Sequence, residues 1–490
     1  MAVRLSNGLP DRNAWSRDGN TEQNSQMSEN KINEPMSPNW GISRPQIWMQ
    51  HALFVLAAGV TGLAAFCFWT FEESGNRWFD RIRNVPVVTE DIWFVPHSVI
   101  NLMLPMLIIT GAMLLIIQLR IRFFPGTEGT GIPQTIAALH VEDGPIRKRM
   151  LSMRIAIGKA LLLFLGLFSG MTIGREGPSV HVGACLMYLI TRITRFPQHI
   201  VQRGLILGGG AAGIAAAFNA PIAGAIFALE EIGRSFEKNN IGVIIRTVLL
   251  ACVVVILLHG HDYLFYGEIK IDVGKWPVYQ WLAVPLIGMV GGLLGGLFSR
   301  LVVGTMRWIN PRMQKHRVLI PLCLGGSLAA LGLISGGETY GGGYAQAQGI
   351  LLDGQQFAWH YAPLKAIANY ICLISGIPGG LFDPSLSVGA GIGQTFQPLL
   401  LNLFPNLEPT SVIMLFMVAY FSGVVQSPIT CAVIMVEMTA ARFMTIPLLA
   451  VTIIAYECSN RICPTAIYEA LAEIFLGAIQ GKKVSFEEKP

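Results

Sequence analysis

Glu176 is the side chain whose type and position most clearly indicate chemistry. It lies in Gly-Arg-Glu-Gly-Pro (174–178), where Pro178 favours the first turn of a helix because its missing N–H costs nothing there. Free backbone N–H groups at a helix start attract an anion, and the helix dipole strengthens the attraction. A carboxylate at that point takes the place of the anion when ionised and leaves it when protonated. The position therefore predicts a gate and proton carrier. The alternative is a carboxylate that satisfies the helix start beside Arg175.

The stretch that contains this carboxylate occurs twice, with an offset of 206 residues. Residues 169–184 (SGMTIGREGPSVHVGA) and 375–390 (SGIPGGLFDPSLSVGA) match at eight of sixteen positions without a gap. The second copy contains another Gly-rich turn with proline, GGLFDP (379–384), and a third such turn is GTGIP (129–133). Three helix starts of this kind can direct their N–H groups at one point, which predicts an anion site made of backbone amides. Thr130 adds a hydroxyl, unless that hydroxyl serves a local turn.

A second repeated pair places glutamates at equivalent positions. APIAGAIFALEE (220–231) matches SPITCAVIMVEM (427–438), so that Glu230 corresponds to Glu437. Neighbouring side chains on a helix point about 100° apart, so one glutamate can face inward while the other makes a structural contact. The match indicates that Glu230 is the structural residue and that Glu231 has the special role. The alternative is a pair of carboxylates at the membrane interface.

The composition is that of a membrane protein. Of the 490 residues, 52% are hydrophobic and 13% are charged. A hydrocarbon core of about 30 Å takes roughly 20 helical residues to cross. Uncharged runs of this order occupy residues 52–71, 92–119, 204–229, 276–299, 318–337, 384–407 and 409–436. We predict an all-α polytopic (multi-pass) integral membrane protein. Its broken, re-entrant helices, one set from each repeat, should meet at the site, as in transporters and channels.

The predicted organisation is one membrane domain between two short tails. The polar residues 1–45 predict a disordered N-terminal tail, and residues 479–490 a short C-terminal one. Residues 46–478 form the transmembrane domain, with a first half at about 50–260 and a second half at about 276–478.

Charge and cysteine usage limit the partners and the chemistry. Basic clusters at 120–154 and 307–317 predict cytoplasmic loops. The net charge of +5 is modest and predicts no nucleic-acid partner, so the lipid bilayer is the expected environment. The eight cysteines include no CxxC pair, and we expect neither a metal nor a cofactor. No HExxH or GxSxG motif is present, so we do not expect an enzyme.

Together these motifs resemble those of the CLC chloride channel and transporter family. GREGP (174–178) is the most specific of that family's signatures. GTGIP (129–133) is similar to its GSGIP, and GGLFDP (379–384) is similar to its GGxFxP. AAAFNAPIAGAIFALEE (215–231) and the late Tyr468 also resemble the family. The resemblance covers nearly the whole membrane region and implies a homodimer, one anion pathway in each subunit and two inverted halves.

Carried over residue by residue, the resemblance implies a role for each candidate. Glu176 would be the outer gating glutamate and Glu231 the inner proton-transfer glutamate. Thr130 and Tyr468 would bind the central anion through their hydroxyls, although the residues alone leave Tyr468 as a candidate interfacial anchor. Three backbone amides would complete the shell of the anion: those of Gly177, Leu381 and Phe382.

Two residues depart from the family pattern near the anion site. Thr130 replaces the serine typical of chloride-preferring members but keeps the hydroxyl, so chloride is the first expectation. Asp383 is an added carboxylate beside the anion amides. It either repels anions or caps the helix at Pro384.

The function that the resemblance implies is exchange of H⁺ for Cl⁻ across a membrane, which we expect to be a bacterial plasma membrane. The expected protein is a proton-coupled chloride antiporter, with bound chloride as substrate. One alternative is a passive, voltage- or pH-gated chloride channel. Another is the same fold carrying nitrate or fluoride. Glu231 discriminates the antiporter from the channel, because a channel has no need for an inner proton relay.

Overall fold

The secondary structure follows from the uncharged apolar runs, because a backbone in hydrocarbon satisfies its polar groups within helices. A computed structural model describes residues 44–84, 97–141, 144–193, 199–233, 238–260 and 264–481. Across these residues the chain is α-helical, as predicted, with short 3₁₀ segments and one π-turn. The predicted tails at 1–45 and 479–490 lie almost entirely outside the described residues. Gln50–Pro490 is one compact unit of the chain.

The helices of the first half surround the first copy of the repeat. In chain order they are α1 (Arg44–Asn84), α2 (His97–Phe123), α3 (Ile132–His140), α4 (Gly144–Met150), α5 (Met153–Leu167), α6 (Glu176–Ile193), α7 (His199–Phe218), α8 (Pro221–Phe227) and α9 (Lys238–His259). The π-turn Ala228–Ile232 continues α8 and carries both glutamates.

The helices of the second half follow two 3₁₀ segments, Val273–Lys275 and Val278–Leu282. They are α10 (Ala283–Lys315), α11 (Leu319–Ile334), α12 (Tyr344–Leu352), α13 (Tyr361–Ser375), α14 (Phe382–Leu403), α15 (Pro409–Val425), α16 (Pro428–Thr439), α17 (Thr445–Ile462) and α18 (Ile467–Gln480). A third 3₁₀ segment, Arg442–Met444, precedes α17. The last helix extends two residues beyond the predicted end of the membrane domain.

Both halves contain long helices and short ones. Six helical stretches of the described residues are long and apolar enough to cross a membrane. By contrast, α3 and α12 have only nine residues each. At 1.5 Å per residue such a helix is about 14 Å long, less than half of a hydrocarbon core. These helices therefore begin or end within the protein interior, where other residues must satisfy their ends.

The broken helices of the two halves match one another in detail. Both α3 and α12 follow a glycine in the left-handed conformation, Gly131 at φ 97° and Gly343 at φ 96°. Lys159 of α5 donates to the carbonyl of Gly129 at 2.8 Å, and Lys365 of α13 donates to that of Gly341 at 2.8 Å. The turn GGGYAQ (341–346) is thus the structural counterpart of GTGIPQ (129–134), although their sequences share little.

Two glutamates join the halves by capping each other's helices. The Glu437 carboxylate accepts from the N–H groups of Ile222 and Ala223, at 3.1 and 2.7 Å. The Glu230 carboxylate accepts from the N–H groups of Ile429 and Thr430, at 3.0 and 2.7 Å. Each negative charge lies at the positive end of the helix that it caps. Glu230 therefore has the structural position that the repeat indicated.

We expect Glu230→Gln and Glu437→Gln each to destabilise the protein by about 1–3 kcal/mol, because an amide loses the charge and one acceptor oxygen. Thermal unfolding in detergent should show a lower midpoint for both variants. The decrease should be larger for Glu230, which also accepts from the Thr430 hydroxyl at 2.6 Å. Glu73→Gln, on the exposed face of α1, is the control and should unfold like wild type. Wild-type midpoints in both test variants would contradict the capping role.

Candidate functional site

The starts of α3 and α6 are in close contact. Gly177 faces Thr130 so closely that an added Cβ would lie 2.7 Å from the Thr130 carbonyl oxygen and 2.8 Å from its Cβ. Only glycine allows this contact. The turn GTGIP (129–133) therefore lies beside the turn GREGP (174–178), as predicted.

A two-residue antiparallel bridge joins the segments that lead into α6 and α14. Gly174 and Gly380, equivalent residues of the repeat, form an isolated antiparallel pair. The Gly174 N–H donates to the Gly380 carbonyl at 2.9 Å, and the Gly380 N–H donates to the Gly174 carbonyl at 2.5 Å. The bridge brings the second helix start to the first and completes the predicted set of three.

Glu176 lies at this junction and is completely buried. Its carboxylate lies against the backbone of Gly174 and Gly380, where a Cβ on either glycine would collide with it. Among the described residues, neither oxygen of the Glu176 carboxylate has a hydrogen-bond partner. Arg175, the neighbour of Glu176 in sequence, forms an ion pair with Glu72 at 2.9 Å.

Two hydroxyls predicted for the anion site are buried and available. Thr130 is 1% exposed and Tyr468 is 0% exposed. Neither hydroxyl has a hydrogen-bond partner among the described residues, and a buried hydroxyl without a partner is costly. A local turn bond at Thr130 and an interfacial position for Tyr468 are therefore both wrong. Each side chain has a donor to offer to a ligand.

Aromatic rings enclose the start of α14. The Phe382 ring lies 4.7 Å from the ring of Phe421, 6.0 Å from that of Phe218 and 6.3 Å from that of Tyr468, centroid to centroid. Leu381 is the N-cap residue of α14. The first N–H groups of a helix have no acceptor within it. The start of α14 thus presents polar N–H groups within an apolar wall that keeps water away.

Glu231 lies on the π-turn after α8 and is 1% exposed. The hydroxyl of Ser427, the N-cap residue of α16, donates to its carboxylate. Tyr468 is close enough to interact electrostatically with both Glu231 and Glu176. The two adjacent glutamates therefore differ as predicted, since Glu230 caps a helix and Glu231 points into the protein. The interpretation of both as interfacial carboxylates is wrong.

A cavity of about 390 Å³ reaches Thr130 from the basic side of the molecule. Arg120 and Arg317, one from each basic cluster, line it together with Gly129 and Phe475. The two clusters therefore lie on the same side, as a common cytoplasmic location requires. Their positive charge can draw anions into the cavity.

Several buried charged residues escaped the sequence analysis. Glu72 lies near the end of an apolar run, and no repeat or motif marks it as the partner of Arg175. Lys159 and Lys365 are both 0% exposed. Their separation of 206 residues equals the offset of the repeat, a signal that could have identified them. All three hold backbone or side chains that shape the helix starts.

Fold and site together define an integral membrane protein whose polar centre is built from broken helices of two halves, the arrangement of ion transporters and channels. The family model described as voltage gated chloride channel matches residues 111–460. The chain belongs to this family, the CLC family, as its motifs indicated.

Bacterial relatives match over most of the chain. The H⁺/Cl⁻ exchange transporter ClcA of Vibrio vulnificus is 30% identical over 368 residues, 71% of this chain and 75% of the relative. ClcA of Klebsiella pneumoniae is 30% identical over 414 residues, 81% of this chain and 83% of the relative. These relatives are transporters by name, and they agree with an integral membrane location.

Solved structures share the fold. A slow cyanobacterial Cl⁻/H⁺ antiporter superposes with a TM-score of 0.75 at 23% identity, covering 88% of this chain and 99% of that one. A CLC-type fluoride/proton antiporter superposes with a TM-score of 0.70 at 19% identity, with the same coverage. At these identities the likeness concerns the fold alone.

We expect Gly177→Ala to weaken chloride binding about tenfold or more. The added methyl group pushes α6 away from Thr130 and misaligns a charge-assisted hydrogen bond of about 1.5–3 kcal/mol. Calorimetric titration of the purified protein with chloride measures the change. Gly326→Ala in α11 is the matched control, because a Cβ there meets nothing within 4 Å. Equal affinities for the two variants would contradict an anion site at this contact.

Proposed function

We propose that this protein is a proton-coupled chloride antiporter that exchanges H⁺ for Cl⁻. The observation that carries the proposal is the position of Glu176, a fully buried carboxylate at the point where the starts of α6 and α14 meet. A negative side chain at a junction of N–H groups competes with an anion for the same place. Protonation ends that competition, so the movement of the anion and of the proton are linked through one residue.

The anion site of this proposal consists of neutral donors. The hydroxyls of Thr130 and Tyr468 are buried without partners in the described chain, which supports their binding of the anion. The N–H groups of Gly177, Leu381 and Phe382 supply the remaining contacts, helped by the helix dipoles. Donors without net charge bind an anion moderately, and a transport site must release its ion as well as bind it. Chloride is the proposed ion because both hydroxyl donors are kept.

Glu231 is the proposed inner proton carrier. It is buried, its carboxylate accepts from Ser427, and it shares Tyr468 as an electrostatic neighbour with Glu176. An ionisable residue within a membrane segment is costly and typically serves ion or proton movement. A passive channel, the alternative of the same family, has no use for such a residue. The names of the ClcA relatives also favour exchange.

We also propose that the protein is a homodimer, as the family resemblance implies. The contacting helices α8 and α16 leave Ile222 60% exposed and Ile429 43% exposed. Both residues belong to the reciprocal caps that join the halves. A second copy that packs on this surface would support the ends of both helices.

We expect Glu176→Gln and Glu231→Gln to abolish proton transport while chloride still moves. Each change removes one of the two carboxyl groups that carry the proton, and neither removes the donors of the anion site. Purified variants in chloride-loaded vesicles are followed with a chloride electrode and a pH electrode together. Proton movement driven by the chloride gradient should fall to the level of protein-free vesicles.

Glu73→Gln is the control, since this exposed carboxylate pairs with Arg77 on α1, and it should pump protons like wild type. A Glu231→Gln variant that still pumped protons would remove this residue from the pathway. Wild-type protein that moved chloride with no proton movement would favour the channel.

A further inference from the structure

Asp383 is a second buried carboxyl group at the gate, and the family signature does not include it. It is the second residue of α14 and is 0% exposed. Neither of its oxygens accepts a hydrogen bond from an N–H group of the described chain. The sequence left open whether it caps the helix or repels anions. The capping interpretation is wrong, because a cap accepts from the first-turn amides.

Asp383 interacts with the carboxyl group of the gate, Glu176. The Glu176 carboxylate lies against Gly380, three residues before Asp383, and the two buried carboxyl groups interact electrostatically. Two carboxyl groups can form a hydrogen bond to one another only when one of them carries a proton. The charged and titratable groups that face the pair come from five segments: Glu72 of α1, Arg175 before α6, Tyr266 after α9, Lys365 of α13 and Tyr468 of α18.

The two cations near the pair have other partners. Arg175 forms its ion pair with Glu72 at 2.9 Å. Lys365 donates to the carbonyls of Thr339, Tyr340 and Gly341, at 3.0, 3.3 and 2.8 Å. Neither forms a salt bridge with Asp383 within the described chain. Two adjacent carboxylates in a buried site cannot both stay ionised, so the pair holds a proton in common.

We propose that Asp383 is a proton-binding residue of the anion gate, which shares one proton with Glu176 when the gate is closed. A second proton then neutralises the pair, and Glu176 leaves as a neutral acid while Asp383 keeps its own proton. The anion enters beside Phe382, next to an Asp383 that carries no charge. Loss of the proton from Asp383 places a negative charge beside the anion and expels it. This inference rests on the proposed function and requires that the anion-bound gate hold two protons, one on each carboxyl group.

The test uses the Glu176→Gln variant, in which residue 176 cannot bind or release a proton, and measures how chloride affinity still depends on pH. Chloride is titrated calorimetrically into Glu176→Gln protein over a series of pH values. We expect the chloride affinity to fall about tenfold per pH unit on the alkaline side, the slope of one linked proton. Adding Asp383→Asn to Glu176→Gln should make the affinity independent of pH. Adding Glu73→Gln instead, at an exposed carboxylate, should leave the slope unchanged.

A measurement on the Glu176→Gln protein alone covers the case in which the double variant does not fold. On the alkaline side of the pH series, the heat of chloride binding in buffers of different ionisation enthalpy gives the number of protons taken up per chloride, and we expect one. An uptake of zero, or a flat affinity profile, would overturn the inference and leave the proposed function intact. A slope that persisted without Asp383 would assign the proton to another group and also overturn it. Failure of wild type to bind chloride would instead contradict the proposed function.

Discussion

A backbone that leaves its helix inside hydrocarbon must find hydrogen-bond partners within the protein, and the pairing of Gly174 with Gly380 meets this constraint for both halves at once. Because the two glycines are equivalent residues of the repeat, their bridge makes the starts of α6 and α14 face one another. A side chain on either glycine would collide with the Glu176 carboxylate. The position of Glu176, the helix starts around it and this contact between the halves all depend on the bridge.

The distribution of charge around the bridge determines what kind of site it is. Arg175 is held by Glu72, while Lys159 and Lys365 are held by backbone carbonyls of the Gly-rich turns. These three cations therefore stabilise the framework of the helix starts. What remains for an anion is a set of amide and hydroxyl dipoles, which bind more weakly than a cation. A carboxylate at the same point can then compete with an anion for these amide and hydroxyl donors.

The repeat made much of this arrangement predictable. It located both broken-helix starts and separated Glu230 from Glu231, while the resemblance to the CLC family supplied the individual candidate anion donors. The contacts that close the site were not predictable, because they join side chains that are distant in sequence and are not equivalent residues of the repeat. The ion pair of Glu72 with Arg175 and the contact of Asp383 with Glu176 are of this kind. The reciprocal caps of Glu230 and Glu437 also depend on how the halves pack, which a match between two segments does not reveal.

The central claim is that proton and chloride movements are coupled in one protein, and the reversal potential of the wild-type protein tests it most directly. Purified protein in planar bilayers is measured with equal chloride on both sides and a pH gradient across the membrane. A coupled exchanger must show a reversal potential that differs from zero and changes sign when the pH gradient is inverted. We expect this result. A reversal potential that stays at zero under every pH gradient, and follows the chloride gradient alone, would contradict the account.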